Sequence, residues 1–353
     1  MLTPPLPRQA LPKTKEGPVT TPLRRRWRHR VGAFALMTAL AAGLAGCGSD
    51  GGSPAADSDN SAAGTGPGDA SFPRTLTHDK GSTEIPAAPQ RIVALDNSLV
   101  EAVVALDGNL VAGVGGYRNL DGFPAYLGDA VKDTVDVGPL ESPNLEQIML
   151  LEPDLIISAT VRHDELYDTL SDIAPTVFVA TTGPTWKDNI ALVGEALGAE
   201  DRAAEQITAY ETRAAAIGEA VNAAHDDPTV SVVRFLDGPT RIYLPHTFSG
   251  IILADMGLTR PENQRDPEEF TLEISEEQIE QAEADVIFYT TYAGGEDRKE
   301  RFLANPLWER LSAVQNGDVY EVEDAIWMTS VSLQGADQVL DNMAEIFGVD
   351  AAK

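Results

Sequence analysis

The chain predicts an α/β protein of two lobes, each built on a mostly parallel sheet, joined by a single long α-helix. Three observations carry this fold class. From Arg91 onwards, short apolar runs rich in Val and Ile alternate with stretches of helical periodicity, the pattern of parallel strands linked by crossover helices. Glu200 to Ala224 contains no proline and only one glycine, Gly218, with apolar residues at Ala204, Ile207, Tyr210, Ala214, Ile217 and Val221. A helix of that length covers about 37 Å at 1.5 Å per residue, enough to cross from one lobe to another. Finally, the twelve residues from Glu146 to Ile157 recur as Glu277 to Phe288 with six identities, and internal similarity of this kind points to lobes of related build.

In chain order, Arg24 to Arg30 is a basic segment and Val31 to Gly46 an apolar, Ala-rich one too short to span a bilayer comfortably. This is the layout of an export signal. Its end, Leu44-Ala45-Gly46-Cys47, resembles the bacterial lipobox, which implies cleavage before Cys47 and acylation of that residue. Cys47 is the only cysteine of the chain, so it has no intramolecular disulfide partner. Gly48 to about Ser71 is a Gly/Ser/Ala/Asp/Pro run without apolar periodicity and reads as a flexible stalk. Strands are expected at Arg91–Leu95, Leu110–Val114, Val135–Val137, Asp154–Ser158 and Thr176–Ala180, with helices at Ser98–Leu106 and Leu145–Leu151. Pro228 closes the long helix. Beyond it, strands are expected at Thr229–Leu236, Arg241–Leu244, Asp285–Tyr289 and Asp318–Val322, and a last helix from Val331 to Phe347. The expected divisions are a signal segment (1–46), stalk (47–73), first lobe (74–199), connecting helix (200–227) and second lobe (228–353), the folded part being long enough for two separate cores.

Composition and motifs narrow the function. With 55 acidic against 26 basic residues and a net charge of −29, the chain has no surface for nucleic acid or anionic membrane. Eight of those basic residues precede Cys47, so cleavage would leave the remainder more acidic still. Enzymatic signatures fail. Gly113-Val114-Gly115-Gly116 does not complete a dinucleotide loop, because Arg118 stands where the last glycine would fall; there is no G-x-S-x-G elbow and no P-loop. His78, His163, His225 and His246 are widely separated, which argues against direct metal ligation.

Several stretches in a fixed order resemble the substrate-binding lipoproteins of ABC importers for ferric siderophores and vitamin B12, a helical-hinge class of periplasmic binding protein. They are Arg91–Leu95, Asn144-Leu145-Glu146 with Leu151–Ile156, Trp186–Ile190, Gly257–Pro261, Ile274–Glu277, Asn305–Trp308 and Gly317–Tyr320. The resemblance covers nearly everything after Arg74. It implies a ligand groove between the lobes and little hinge motion. It also implies delivery of a ferric siderophore, as transported cargo rather than cofactor, to a two-fold ABC permease and its ATPase, by a lipid-anchored monomer on the extracytoplasmic face. Ligands of open α/β sheets sit beyond the carboxyl ends of the strands. Loops in that position supply Asn97 with Ser98, Tyr117, Arg118, Leu140, Arg162, Trp186, Tyr292 and Trp327, and Arg234 joins them from its strand. Aromatic rings and guanidinium groups suit a chelate with an apolar rim and iron-bound oxygens. So few arginines in an acidic protein favour hydroxamate or mixed siderophores over highly charged catecholates; cobalamin or haem is the alternative cargo. Trp308 is expected in the core, Trp186 opens a helix and is equally a packing residue, and Arg162, Arg234 and Arg241 are equally candidates for salt bridges to the surrounding acids. The resemblance assigns permease docking to Glu146 and Glu277, the matching acids of the repeat.

Overall fold

The computed structural model describes residues 71–116 and 122–353. The signal segment, Cys47, the stalk up to residue 70, Tyr117 and Arg118 lie outside the described residues.

The first lobe opens with a hairpin of β1 (Arg74–His78) and β2 (Gly81–Ile85), not anticipated above. It lies along the sheet edge, with Asp79 N donating to the Phe178 carbonyl at 3.0 Å and Thr83 Oγ1 to the Thr176 carbonyl at 2.7 Å. The lobe continues with β3 (Ile92–Ala94), α1 (Asn97–Ala105), β4 (Leu110–Gly113), β5 (Val135–Asp136), α2 (Leu145–Leu150), β6 (Leu155–Ala159), α3 (Thr160–His163), α4 (Tyr167–Ser171) and β7 (Thr176–Val179). The five strands are all parallel, in the order β5-β4-β3-β6-β7. Every residue of β3, β6 and β7 is buried, as a parallel sheet covered on both faces demands.

After α5 (Trp186–Leu197) comes the connecting helix α6 (Glu200–His225). The second lobe comprises β8 (Val230–Phe235), β9 (Thr240–Tyr243), α7 (Phe248–Asp255), β10 (Thr271–Ile274), β11 (Val286–Thr291), α8 (Glu296–Leu303), α9 (Ser312–Asn316), β12 (Val319–Glu321) and α10 (Leu333–Phe347). Its sheet, β10-β9-β8-β11-β12, is parallel through β8, β11 and β12, whereas β9 and β10 turn back antiparallel.

The sequence repeat has a shared structural meaning at its aspartates. Asp154 accepts from the backbone N–H groups of Gln90 and Arg91 at 2.7 and 2.8 Å, and Asp285 accepts from Thr229 N at 2.8 Å. Each carboxylate thus caps the entry of the neighbouring central strand, β3 or β8. The helices of the two copies differ. In the first, Asn144 caps α2 through Gln147 N and Glu146 stands in the first turn; in the second there is only a 3₁₀ turn, Ile279–Ala282, and Glu277 precedes it.

The lobes do not have separate cores. One apolar cluster runs continuously from β1, α1 and α5 through α6 to α7, β11 and α10; two smaller clusters lie on the outer faces of the sheets. The connecting helix is held accordingly. Tyr210 Oη donates to Asp255 on α7 at 2.9 Å, Lys187 on α5 bridges Asp255 and Glu211, and Arg213 pairs with Asp337 and Asp341 on α10. Gly218 allows the closest approach: a Cβ there would fall 1.6 Å from the Met256 carbonyl oxygen. A helix fixed to both lobes over a common core makes a stiff frame for what lies at the strand ends.

Candidate ligand groove

At the carboxyl end of β3 the chain leaves the sheet through Asp96, whose extended backbone makes it the N-cap of α1. Asp96 is 2% exposed. One of its oxygens accepts from Ser98 N at 2.9 Å and Ser98 Oγ at 2.6 Å, and the other from Arg162 Nε at 3.0 Å. Arg162 follows β6 on α3, and its Nη2 donates to Thr182 Oγ1 at 3.1 Å in the loop after β7. The arginine is thereby oriented by groups that follow β3 and β7, the two strands flanking its own. Behind it, His163 bridges Ser158 Oγ (2.8 Å) and the Leu140 carbonyl (2.6 Å). Burial lowers the His163 pKa despite the raising effect of the Leu140 carbonyl, so the ring is a neutral strut. Next to Asp96, Asn97 is 3% exposed and neither atom of its amide has a hydrogen-bond partner.

The second lobe repeats the device with different residues. Arg234 on β8 makes a two-pronged contact with Asp324, Nε to Oδ1 at 2.7 Å and Nη2 to Oδ2 at 2.6 Å, while Nη1 donates to Tyr243 Oη at 2.9 Å. Its guanidinium lies 4.5 Å from the centre of the Tyr292 ring, within cation–π range. Asp324 also accepts from Thr290 Oγ1 at 2.9 Å and Thr329 Oγ1 at 3.3 Å. Burial by itself would lower the Arg234 pKa; the hydrogen bonds and charge of Asp324, with Tyr243, outweigh it and hold the group above the ordinary arginine value. Arg234 is therefore a fixed cation with a matched counter-charge, both side chains 12% exposed.

The structure thus ties Arg162 to Asp96, the chain neighbour of Asn97, in the first lobe and brings Arg234 beneath Tyr292 in the second. It removes three other expected residues from the groove lining. Trp186 is 1% exposed and packs edge-on against Tyr210 and Phe248; Trp327 is 0% exposed, stacks on Phe288 at 4.7 Å and donates to Asn342 Oδ1 at 3.1 Å. Both belong to the apolar cluster shared by the lobes. The Leu140 side chain, 2% exposed, belongs to the outer core of the first lobe, and only its carbonyl serves the site, through His163. Trp308 is core, and Arg241 pairs with Glu273 at the surface. Asp96, Asp324, Tyr243 and Thr182 were missed. A clue was present for the aspartates, each standing one or two residues beyond the end of a strand-like run.

Away from the groove, Glu146 and Glu277 are both exposed. Ser275 Oγ donates to Glu277 at 2.6 Å, and this bond, followed by one from the backbone N–H of Glu277 itself, lowers its pKa. Neighbouring Glu276 is engaged by Arg298 and Arg301 at 3.6 and 3.2 Å. Among the described residues neither Glu146 nor Glu277 has an ion-pair partner, and none form a cluster of His, Cys, Asp and Glu fit to hold a metal ion.

Two α/β lobes on a stiff helix, with polar clamps at the strand ends, fit a solute-binding protein. The chain belongs to the periplasmic binding protein family, whose profile matches residues 92–325. It is 38% identical over 290 residues to the probable siderophore-binding lipoprotein YfiY of Bacillus subtilis, covering 78% of this chain and 87% of that protein. Among solved structures, it is similar to Staphylococcus aureus SirA complexed with staphyloferrin B, with 30% identity, a TM-score of 0.73, and coverage of 79% of this chain and 99% of that one. The siderophore periplasmic binding protein from the fuscachelin gene cluster of Thermobifida fusca is 29% identical with a TM-score of 0.61, over 75% of this chain and 98% of that one.

Proposed function

We propose that this protein is the solute-binding component of an ABC importer that captures a ferric siderophore, of hydroxamate or mixed type, and delivers it to a two-fold permease. The carrying observation is the pair of arginines at the strand ends, each already matched by an aspartate: Arg162 by Asp96 and Arg234 by Asp324. Arg234 engages three of its five N–H donors and offers the rest to iron-bound oxygens, and the matching of both arginines by aspartates adds little net positive charge to the site. A chelate of low net charge suits such a groove better than a multiply anionic catecholate, whose desolvation the site would not offset. Asn97 is buried with both amide atoms unpaired, and its Nδ2 is a further donor that ligand oxygens would satisfy; an unmet buried polar atom costs about 1 to 3 kcal/mol. The relatives named above bind siderophores by their names, which supports the same class here.

Delivery is assigned to Glu146 and Glu277, one exposed carboxylate on each lobe. Acylation at Cys47 would hold the protein on the extracytoplasmic face of the membrane; among the described residues no helix is long and apolar enough to cross one. Titration of tryptophan fluorescence with ferric hydroxamate, ferric catecholate, ferric hydroxycarboxylate, the iron-free chelators, haem and cobalamin tests the reading. Tight binding of a ferric hydroxamate or mixed chelate supports it; binding of haem or cobalamin alone refutes it.

A further inference from the structure

Glu101 sits in the middle of α1 and is completely buried. Its carboxyl group accepts from Tyr126 Oη on one oxygen and from Ser330 Oγ on the other, both at 2.7 Å, and its carbonyl accepts from Gln334 Nε2 at 2.8 Å. Tyr126 belongs to the first lobe; Ser330 and Gln334 belong to the second. The contact therefore crosses between lobes. It also links the two elements that carry the arginine clamps. The same helix that carries Glu101 begins at Asp96, which holds Arg162. On the other side Ser330 terminates a single π-helical turn, Ala325–Thr329, that follows directly on Asp324, which holds Arg234; Ser330 N closes that turn onto the Ala325 carbonyl at 2.8 Å. Gly335 leaves the room this requires, since a Cβ there would fall 1.9 Å from Ser330 Oγ.

We propose that Glu101 is a positioning residue: by latching Ser330 it sets the spacing between the Arg162 and Arg234 clamps, and hence the width of the groove, without touching the ligand. A buried carboxyl costs several kcal/mol to desolvate, whereas an aliphatic side chain of similar volume would fill the same place at no such cost. What the carboxyl adds is direction, because it fixes a donor from each lobe in one geometry.

The latch has a proton in it. Burial pushes Glu101 up to about 7; the hydrogen bonds from Tyr126 and Ser330 pull the other way, and the charge of Asp96 pushes up again. The groups that face it are Tyr126 below α1, Ser330 and Gln334 from the second lobe, and Asp96 at the head of α1. Tyr126 is itself held protonated, chiefly by burial and then by the Glu101 charge, with Glu323 a weaker contributor. In the neutral form the carboxyl donates its own O–H to one of the two hydroxyls and accepts from the other, so both lobes stay tied; the carboxylate, buried without a cation among the groups that face it, draws water and loosens the contact.

The inference rests on the groove being the binding site, and its test separates the two. Spin labels are placed on the exposed sites Asp172→Cys and Glu309→Cys in a Cys47→Ser background, and inter-lobe distances are measured in the ligand-free protein. At about pH 6 the parent and Glu101→Gln should each give one narrow distribution, and Ser330→Ala a broad one; at about pH 8.5 the parent should broaden and Glu101→Gln should not. With ferrioxamine B as the probe, Ser330→Ala should bind roughly 3- to 10-fold more weakly, and Glu101→Gln should lack the parent's loss of affinity at the higher pH. A narrow distribution in Ser330→Ala, or a Glu101→Gln protein that broadens with pH as the parent does, overturns the latch. If distances behave as expected but the parent does not bind ferrioxamine B, the latch stands and the hydroxamate reading is the one that fails.

Discussion

Replacing Glu101 by Gln should change how folding stability depends on pH, by an amount that follows from the burial of this one carboxyl. Its pKa is raised from 4.5 to about 7, and burial is the largest cause. Each unit corresponds to about 1.4 kcal/mol, so the native protein holds the Glu101 proton more tightly than the unfolded chain by about 3 kcal/mol. The sign follows from proton counting. Between pH 4.5 and 7 the native state binds more protons than the unfolded state, so the contribution is fully present below pH 4.5 and is lost as pH rises through about 7. Glutamine has no proton to lose and, like the neutral acid, offers one acceptor and one donor to the two hydroxyls. The two proteins share every other titrating group, so their difference isolates residue 101. In calorimetric melts the variant should match the parent near pH 4.5 and exceed it by roughly 6 °C or more at about pH 8, at some 2 °C per kcal/mol for a domain of this size. Melting curves that stay parallel across the range would refute the reasoning, because they would mean that Glu101 is hydrated or otherwise compensated in the native state.

Asp324→Asn removes the counter-charge of Arg234, and should destabilise the protein by about 3 kcal/mol while shifting preference toward more anionic ferric chelates; an unchanged ratio of affinities for a neutral hydroxamate and an anionic hydroxycarboxylate complex would count against charge matching as the selector. Glu146→Arg and Glu277→Arg should each impair uptake, and more so together, with ligand affinity and melting temperature nearly unchanged, since exposed rim charges govern encounter more than fold. Glu276→Arg is the contrast: its carboxylate is occupied by Arg298 and Arg301, so it should lower stability slightly, and loss of transport in it alone would remove the docking assignment. Cys47→Ser should leave the protein exported but recovered in soluble form, and persistent membrane retention would exclude acylation there.

The parallel strands, the long helix and the strand-end places of the candidate groove residues were legible because each follows from local pattern: period, length and the chain direction at a strand's carboxyl end. Arg162 and Arg234 could be found the same way. Their partners could not, because the pairing of Arg234 with Asp324 spans ninety positions and depends on which loop of a folded sheet lies over which strand. The antiparallel turn of β9 and β10 was likewise hidden, as an isolated four-residue run has the same composition in either direction. The two copies of the repeat place their aspartates alike, but the second copy's helix shrinks to a 3₁₀ turn, so Glu146 and Glu277, the acids proposed for docking, share a place in sequence without sharing a local backbone.

The two tryptophans show where loop reasoning stops. Trp186 and Trp327 stand just beyond strands, where a large ring in a single-lobe protein would face solvent or ligand. Here each ring is covered by residues far along the chain: Trp186 by Tyr210 of the connecting helix and Phe248 of the second lobe, Trp327 by Phe288 and by Asn342 of the last helix. Trp186 is therefore spent on joining the lobes, and Trp327 on packing within the second. That substitution has a mechanical consequence. A hinge crossed by a close-packed core resists opening, because parting the lobes would expose aromatic surface at about 25 cal/mol per Å². The groove must then be largely formed before its ligand arrives, and affinity comes from preorganised donors rather than from closure. In such a frame small adjustments of width fall to the few polar contacts that bridge the lobes, which is why one buried carboxyl, between Tyr126 and Ser330, has leverage on both arginines at once.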